Sequence, residues 1–313
     1  MISPKPLFPG ARVALVGASS AVPAQRLEPA LEAVRALGLD PVPYPSCYEE
    51  NRHGYLAASD QQRADDLNAA FADDTIHGIL AIRGGYGAHR LLPLLDWETI
   101  RAHPKRFAGY SDVTALHTAL NQNCRMVTYH TIMPSTEYYQ PVDECSMDYL
   151  RRALFGGLTG PLSFPEGCRP ETFSGGRATG ILCGGNLSLL TASLGTPWEI
   201  DTRGKILFLE DVGEQTYRLD GMLTQLRNAG KFRDCAGILL GYWTDCPPED
   251  PERTIPLKDI FRELLPAGKP ILSDLPCGHS LPSIALPLGA TLAMDADART
   301  LEVLSTAKEH DPV

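Results

Sequence analysis

The sequence predicts an α/β protein in two domains, the first built on a parallel sheet and the second a smaller mixture of strands and helices. Short apolar runs alternate with helical patterns through the first half of the chain, which is typical of βαβ units. Gly, Pro, Ser and Thr interrupt that pattern between Phe155 and Gly180. The 313 residues also exceed what one small core requires. We therefore expect domains at residues 1–160 and 179–313, joined by a linker at residues 161–178.

The first half of the chain supplies the βαβ pattern. In the helix candidate "AQRLEPALEAVRALGL", apolar residues recur at helical spacing, and Gly38 is a candidate C-cap. Strand and helix candidates follow one another in chain order as RVALVGAS, AQRLEPALEAVRALGL, DPVPYP, DQQRADDLNAAFAD, IHGILAIRG, AHRLLPLLD, RFAGYS, VTALHTALNQN and RMVTYH. This alternation predicts parallel strands that are joined by helices.

The second half of the chain holds short strands with only a few helices. Its candidate segments are, in order, ATGILCGGNLSLLTASLG, KILFLEDV, YRLDGMLTQLRNAG, AGILLGYW, IFRELL, KPILSDLPCGHS, ALPLGATLAMDA and TLEVL. This pattern predicts a smaller mixed α/β domain.

The composition is that of a globular protein, with 43% hydrophobic and 21% charged residues. A formal net charge of −10 argues against nucleic acid or an anionic membrane as a partner, since either requires a basic face. No apolar run reaches the roughly 18 residues of a transmembrane helix, and "VALVG" is too short for a signal peptide. The eight cysteines include no C-x-x-C pair, which favours reduced, mostly buried thiols over disulfides or a zinc site. We expect a cytoplasmic protein.

The segment "RFAGYSDVTALH" predicts a strand that turns directly into a helix at Ser111. One interpretation is that Ser111 only caps the helix. The other is that Ser111 is a nucleophile, because catalytic groups in open α/β sheets collect at the carboxyl ends of strands. The nucleophile-elbow pattern G-x-S-x-G is half met, since Gly109 is present but Val113 replaces the second glycine.

Glu210 is the candidate for the acid that would orient a catalytic base. It follows the apolar run Ile206–Leu209, which predicts a buried strand with an acid at the sheet edge. The alternatives are a solvated loop carboxylate, or a metal pair with Asp211. The metal pair lacks a further ligand at suitable spacing and is disfavoured.

Two histidines are candidates for the base. His279 lies in a Gly- and Pro-rich loop between two apolar runs, where a rigid loop can aim an imidazole. His130 ends a strand candidate and remains an alternative. His117 lies on the helix after Ser111, at a spacing that turns it to a different face from the turn.

Backbone N–H groups near Ser111 are candidates for an oxyanion hole. The N–H of Asp112 lies at the predicted helix N-terminus. The glycines of "IRGGYG", residues 82–87, allow positive φ and a close approach of backbone to substrate. The alternative for this segment is a tight turn before a helix, and it does not match a dinucleotide-binding loop.

Five motifs together resemble the LD-carboxypeptidase family of serine peptidases, the muramoyltetrapeptide carboxypeptidases. They are RGGYG, GYSD, GGNLSLL, LFLEDVGEQTYRLDGML and GH…LPLGA, and they occur in the family's order along nearly the whole chain. The resemblance implies a flavodoxin-like N-terminal parallel-sheet domain, a smaller C-terminal swivelling β/α domain, and a homodimer. It also implies a catalytic site in the cleft between the two domains.

The same resemblance implies a catalytic triad of Ser111 as nucleophile, Glu210 as acid and His279 as base. It implies oxyanion donors from the backbone at Asp112 and Gly85, and it requires no metal or organic cofactor. Ser283 and the two residues after it depart from the family, in which a Thr or Asn-Thr often precedes "LPLG".

The implied activity is removal of the terminal D-Ala from murein tetrapeptide during cell-wall recycling. One alternative is the microcin self-immunity branch of the same family, which hydrolyses acyl or peptidyl nucleotides with the same triad. An aromatic shelf for a nucleobase would favour that branch, and Trp198 and Trp243 are available. An alternative of another class is a catalytically silent protein that binds muropeptides or a nucleotide.

Two residues are candidates for contacts to the muropeptide. Arg83, beside the glycine turn, is placed to bind a substrate carboxylate, although a structural ion pair is an equal alternative. Asn186 in the "GGN" turn is a candidate contact to the peptide, and the alternative there is a helix N-cap.

Overall fold

The computed structural model describes residues 1–48, 55–247, 250, 254–305 and the backbone of residues 308–309. These residues form two compact units. The N-terminal unit comprises Met1–Leu158 and Ile284–Gly289 together with residues 308–309, and the C-terminal unit comprises Thr159–Ser283 and Ala290–Ser305.

The described residues form sixteen strands and a set of helices, and strands alternate with helices mainly in the first half of the chain. The strands are β1 (Ile2–Ser3), β2 (Arg12–Val16), β3 (Asp40–Pro43), β4 (Gly78–Ala81), β5 (Arg106–Gly109), β6 (Thr128–His130), β7 (Gly160–Pro161), β8 (Glu171–Ser174), β9 (Arg177–Asn186), β10 (Ile206–Val212), β11 (Gly237–Thr244), β12 (Ile271–Ser273), β13 (Leu286–Leu288), β14 (Thr291–Asp295), β15 (Thr300–Ser305) and β16 (Lys308–Glu309).

The α-helices are α1 (Ala24–Ala36), α2 (Asp60–Ala72), α3 (Trp97–Ala102), α4 (Thr114–Asn123), α5 (Glu144–Phe155), α6 (Leu187–Ala192), α7 (Thr216–Asn228), α8 (Lys231–Asp234) and α9 (Leu257–Leu264). Short 3-10 helices span Pro45–Cys47, Ala88–Leu94 and Ser111–Val113, and a π-helical turn spans Pro134–Tyr138.

The N-terminal unit is built on a sheet in the order β3-β2-β4-β5-β6-β13. The first five strands are parallel, and β13 pairs antiparallel with β6. Strands β4 and β5 are buried along their whole length, as expected for central parallel strands covered on both faces. This is the flavodoxin-like order that the family resemblance implies, and its switch point lies between β2 and β4.

The C-terminal unit is built on a sheet in the order β7-β15-β14-β9-β10-β11-β12-β8. The four central strands β9 to β12 are parallel, whereas β8 and the β14–β15–β7 side are antiparallel. Buried side chains of α6, α7 and α9 pack in one hydrophobic cluster with those of β10 and β11. The predicted mixed α/β character of this half is confirmed.

The structure differs from the predicted elements and boundaries in three places. The helix candidate "AHRLLPLLD" is the 3-10 helix Ala88–Leu94, which contains a proline without the N–H that an α-helix would use. The segment predicted as a linker at residues 161–178 contains β8 and the start of β9 in the C-terminal sheet. Residues 284–289, which fall inside the expected domain 179–313, form the edge strand of the N-terminal sheet.

All eight cysteines are free thiols, and most of them are buried, as the sequence predicts. None of the described helices has both the length and the hydropathy that a bilayer span requires.

Candidate active site

Ser111 lies on a strained turn directly beyond β5. The strand ends at Gly109, and the 3-10 helix Ser111–Val113 leads into α4. The φ of Ser111 is +66°, in the left-handed region that costs a non-glycine residue roughly 1–3 kcal/mol. The cap position belongs to Tyr110, so the interpretation of Ser111 as a helix N-cap is wrong. A serine held at positive φ between a strand and a helix is the arrangement of a nucleophile elbow.

The residues around the turn explain why the first glycine of the elbow pattern, Gly109, is needed. A Cβ atom at Gly109 would lie 2.9 Å from the Cβ of Ala81 and 3.2 Å from Val113 Cγ1. Glycine is therefore required at position 109, because a side chain there would meet Ala81 and, after it, Val113. His117 donates its Nε2–H to the carbonyl oxygen of Gly109 at 2.9 Å. Burial lowers the pKa of His117 to about 4, so this imidazole is neutral and holds the end of β5.

The glycine turn after β4 packs directly against Ser111. A Cβ atom at Gly84 would lie 2.9 Å from Ser111 Cβ and 3.0 Å from its Oγ. Gly85 adopts a φ of +119°, and a Cβ atom there would overlap the Ser20 side chain. The N–H of Tyr86 donates to Ser20 Oγ at 3.1 Å. The predicted need for glycine in this turn is thus met by close approach at Gly84 and by positive φ at Gly85 and Gly87.

The carboxylate of Asp112 connects the loops that follow three neighbouring strands. It is buried, and its Oδ2 accepts hydrogen bonds from Ser19 Oγ at 2.6 Å and from the N–H of Ala88 at 2.8 Å. Ser19 follows β2, Ala88 follows the turn after β4, and Asp112 follows β5. The N–H of Asp112 belongs to the first turn of its 3-10 helix, where N–H groups have no acceptor within the helix.

Arg83 is half-buried beside this turn. Its Nη1 donates to the carbonyl oxygen of Ala21 at 2.8 Å and its Nε to that of Gly84 at 3.2 Å. Among the ion pairs of the described residues, none includes Arg83. The alternative of a structural ion pair is therefore not realised there.

Glu210 and His279 form a pair in the C-terminal unit, in which the carboxylate is fully buried and the imidazole partly buried. Glu210 lies near the end of β10 and is fully buried, and its Oε2 is 2.6 Å from Nδ1 of His279. A carboxylate only accepts hydrogen bonds, so Nδ1 carries the proton in this contact. In the neutral ring Nε2 is then an acceptor, which is the tautomer that a general base requires.

The loop that carries His279 is held against Glu210 by its own backbone. Gly278 has a φ of +129°, and a Cβ atom there would lie 2.9 Å from Glu210 Oε2. The hydroxyl of Tyr242 donates to the carbonyl oxygen of Pro282 at 3.0 Å, and the N–H of Gly278 donates to Ser283 Oγ at 3.3 Å. Ser283, at the position where the sequence departs from the family, thus supplies a hydrogen bond to the loop.

Both carboxylate oxygens of Asp211, the residue after Glu210, are held by protein donors. Its two carboxylate oxygens accept hydrogen bonds from Nδ2 of Asn186 and from the N–H of Ser188, each at 2.9 Å. Burial raises the pKa of Asp211 to about 6. In the described part of the chain, no group of three or more His, Cys, Asp or Glu side chains is arranged to hold a metal ion.

Asn186 is the N-cap of α6. Its Oδ1 accepts from the N–H of Leu189 at 3.3 Å and from Ser188 Oγ at 2.6 Å. The N-cap that the sequence offers as an alternative is confirmed, and a contact from Asn186 to a substrate stays a prediction.

His130 lies at the end of β6 in the N-terminal unit and is buried. Its ring packs edge-on against Tyr110, with ring centroids 5.5 Å apart. The pairing of an imidazole with a buried carboxylate at 2.6 Å occurs at His279, which favours His279 over His130 as the base.

The sequence reasoning missed the pair Ser19 and Ser20 and the part played by the Asp112 side chain. The two serines lie in the loop after β2; Ser19 donates to Asp112 Oδ2, and Ser20 Oγ accepts from the N–H of Tyr86. The available signal was "GASS" after an apolar run, because the carboxyl end of β2 lies at the switch point of the sheet.

Comparisons with known proteins agree with the resemblance read from the motifs. Family models for the LD-carboxypeptidase N-terminal and C-terminal domains match residues 13–131 and 179–294. A relative from Bacillus subtilis (strain 168), named probable murein peptide carboxypeptidase, is 39% identical over 98% of this chain and 95% of its own length.

Solved structures share the fold along nearly the whole chain. A muramoyltetrapeptide carboxypeptidase from Oxalobacter formigenes is 25% identical with a TM-score of 0.80, covering 93% of this chain and 97% of that one. A structure of MccF in complex with glutamyl sulfamoyl guanosine has a TM-score of 0.88 at 23% identity, covering 96% of this chain and 98% of that one. Because both family models match and a relative is 39% identical over nearly its whole length, the chain belongs to the LD-carboxypeptidase family of serine peptidases.

Proposed function

We propose that the protein removes the terminal D-Ala from murein tetrapeptide with Ser111 as nucleophile, His279 as base and Glu210 as the acid that orients it. The observation that carries the proposal is the contact of 2.6 Å between the buried Glu210 carboxylate and Nδ1 of His279. The positive φ of Ser111 at the carboxyl end of β5 supports its part as nucleophile.

The reaction follows from these atoms. Ser111 Oγ attacks the carbonyl carbon between the L-centre of the diamino acid and D-Ala, while Nε2 of His279 takes the hydroxyl proton. The N–H groups of Asp112 and Gly85 stabilise the oxyanion. His279 then gives its proton to the amine of D-Ala, which leaves, and water hydrolyses the acyl-enzyme with His279 again as base. The mechanism requires Nε2 of His279 to reach Ser111 Oγ, with the nucleophile on one domain and the acid and base on the other.

The substrate class rests on the relatives. The Bacillus subtilis relative, at 39% identity, is named a probable murein peptide carboxypeptidase, whereas MccF, solved in complex with glutamyl sulfamoyl guanosine, is 23% identical. Trp243, which could have formed a nucleobase shelf, packs against Phe261 with ring centroids 5.2 Å apart. Asn186 and Arg83 are the candidates for contacts to the peptide.

The compartment and the assembly belong to the same proposal. Free, mostly buried thiols suit a reducing compartment, so we place the activity in the cytoplasm, on peptides returned from the cell wall. The homodimer is implied by the family resemblance, and sedimentation of the purified protein tests it.

The test of function offers tetrapeptide, pentapeptide and glutamyl sulfamoyl nucleotide side by side and measures product masses. We expect release of D-Ala from the tetrapeptide and none from a D-Ala-D-Ala end, with no reaction by Ser111→Ala. Cleavage of the nucleotide alone would move the chain to the self-immunity activity. Tight binding of a muropeptide without any cleavage would leave a silent binding protein.

A further inference from the structure

Arg83 is a half-buried arginine in the turn that packs against the candidate nucleophile. It follows β4 directly, and the next residue, Gly84, packs against Ser111. Two of its five N–H donors reach the carbonyl oxygens of Ala21 and Gly84. The side chain is thereby fixed at the carboxyl end of the sheet.

Arg26 reaches the same edge of the sheet from the first turn of α1. Its Nη1 donates to the carbonyl oxygen of Ser135 at 3.4 Å, and its Cζ lies 4.8 Å from the centre of the Tyr139 ring. The N–H of Ser135 in turn donates to the carbonyl oxygen of Ile82 at 3.0 Å, and Ile82 is the residue directly before Arg83. One short series of contacts therefore connects the Arg26 side chain to the end of β4.

The two positive charges lack a balancing negative charge. Within the described residues, neither Arg26 nor Arg83 has a carboxylate at ion-pair distance. The carboxylate of Glu137, on the same segment as Ser135, accepts from the Tyr110 hydroxyl and from the N–H of Met133. Burial, and after it the charge of Arg26, lowers the pKa of Arg83. Two half-buried like charges are unfavourable together, and an anion between them would remove that cost.

The position of the pair suits a ligand. It lies outside the carboxyl ends of β2 and β4, the switch point at which open α/β sheets bind ligands. A carboxylate offers about four lone-pair sites on two oxygens, which two guanidinium groups can fill together. A carboxypeptidase must also distinguish a free C-terminus from an internal peptide bond, and a charge at this place provides that distinction.

We infer that Arg26 and Arg83 together bind the free α-carboxylate of the C-terminal residue of the substrate. The inference rests on the proposed function, because it assigns that carboxylate to the peptide whose carbonyl Ser111 attacks. Compared with the proposed function, which names only Arg83 and Asn186 as peptide contacts, the inference adds Arg26 as a specificity-determining residue.

The experiment compares two substrates, murein tetrapeptide with a free D-Ala carboxylate and the same peptide ending in D-Ala amide. The amide has nearly the same shape but no charge. In the wild-type enzyme, we expect kcat/KM for the amide to be lower by roughly 100-fold, and Arg26→Ala should lower kcat/KM for the acid by roughly 10- to 100-fold. The same variant should leave kcat/KM for the amide nearly unchanged, and Arg26→Lys should restore part of the loss.

Arg35→Ala is the matched control, because Arg35 lies on the same helix and is exposed in an ion pair with Glu28. It should change neither substrate's kcat/KM. If Arg26→Ala lowers kcat/KM equally for the acid and the amide, Arg26 acts through its packing with Ser135 and Tyr139, and the inference is overturned. Equal cleavage of acid and amide by the wild type also overturns it. Hydrolysis of neither substrate by the wild type would instead contradict the proposed function.

Discussion

Substitution of Gly84 by alanine tests whether the position of Ser111 controls the activity. The added Cβ atom would lie 2.9 Å from Ser111 Cβ, whereas ordinary van der Waals contact begins at 3.4 Å. The Cβ of Ser111 is fixed by a backbone at a φ of +66° and is not the free end of a flexible chain. Relief of the contact therefore moves the serine or the glycine turn.

The displacement sets the expected size of the effect. Restoring ordinary contact requires a shift of about 0.5–1 Å, and a misplacement of about 1 Å can cost about 100-fold in rate. The added methyl group in a packed site costs about 1–3 kcal/mol of stability. We therefore expect Gly84→Ala to lower kcat by about 10- to 100-fold in a protein that is still folded.

The assay combines kcat on murein tetrapeptide with urea unfolding. Gly221→Ala is the matched control, because Gly221 is exposed on α7, and a Cβ atom there would have no neighbour within 4 Å. It should keep full kcat and gain about 0.5–1 kcal/mol of stability. A folded Gly84→Ala variant with wild-type kcat would refute the reasoning, since Ser111 would then tolerate displacement.

Three further outcomes follow. Ser111→Ala should lower kcat by several orders of magnitude. It should change the free energy of unfolding, measured by urea titration, by no more than about 1–2 kcal/mol. His279→Gln should lose kcat/KM by several orders of magnitude while His130→Gln keeps most of it, and the reverse result would identify His130 as the base. Burial raises the pKa of Asp211 from 3.8 to about 6, so the folded protein binds a proton that the unfolded chain has released, and stability falls as pH rises between those values. The pKa difference of about two units, at about 1.4 kcal/mol per unit, corresponds to a loss of roughly 3 kcal/mol in the free energy of unfolding. This loss should be absent from Asp211→Asn. Parallel stability–pH curves for the wild type and Asp211→Asn would contradict the prediction.

Local patterns predict most of the N-terminal sheet and make Glu210 and His279 candidates in the C-terminal unit, but they leave His130 as an alternative base, and the full triad comes from the family resemblance. The alternation of apolar runs and helical spacing is a local property, so it predicts β2, β4 and β5 together with the helices α1, α2 and α4. Glu210 was found because an acid at the end of a buried strand is unusual, and His279 because its loop combines Gly and Pro. The contact of 2.6 Å between these two side chains joins residues that lie far apart in sequence.

Other features depend on non-local pairing and could not be predicted from local patterns. The strand Leu286–Leu288 pairs with β6 in the N-terminal sheet, although it follows and precedes segments of the C-terminal unit. Its apolar residues predict a buried strand equally well in either sheet, so periodicity cannot assign it. The same applies to Glu171–Ser174, whose strand pairing is with β12, about 100 residues further along the chain.

Asp112 contributes to the candidate site in two ways, through its backbone N–H and through its side-chain carboxylate. The sequence argument used only its backbone N–H, which lies at a helix start beside Ser111. The structure adds that its carboxylate accepts from Ser19 and from the N–H of Ala88, at 2.6 and 2.8 Å. In the proposed mechanism the Asp112 N–H and the glycine turn face the same oxyanion, which requires the loops that carry them to be fixed to each other within a fraction of an ångström. A carboxylate that accepts from both neighbouring loops meets this need, which a hydrophobic residue at position 112 could not.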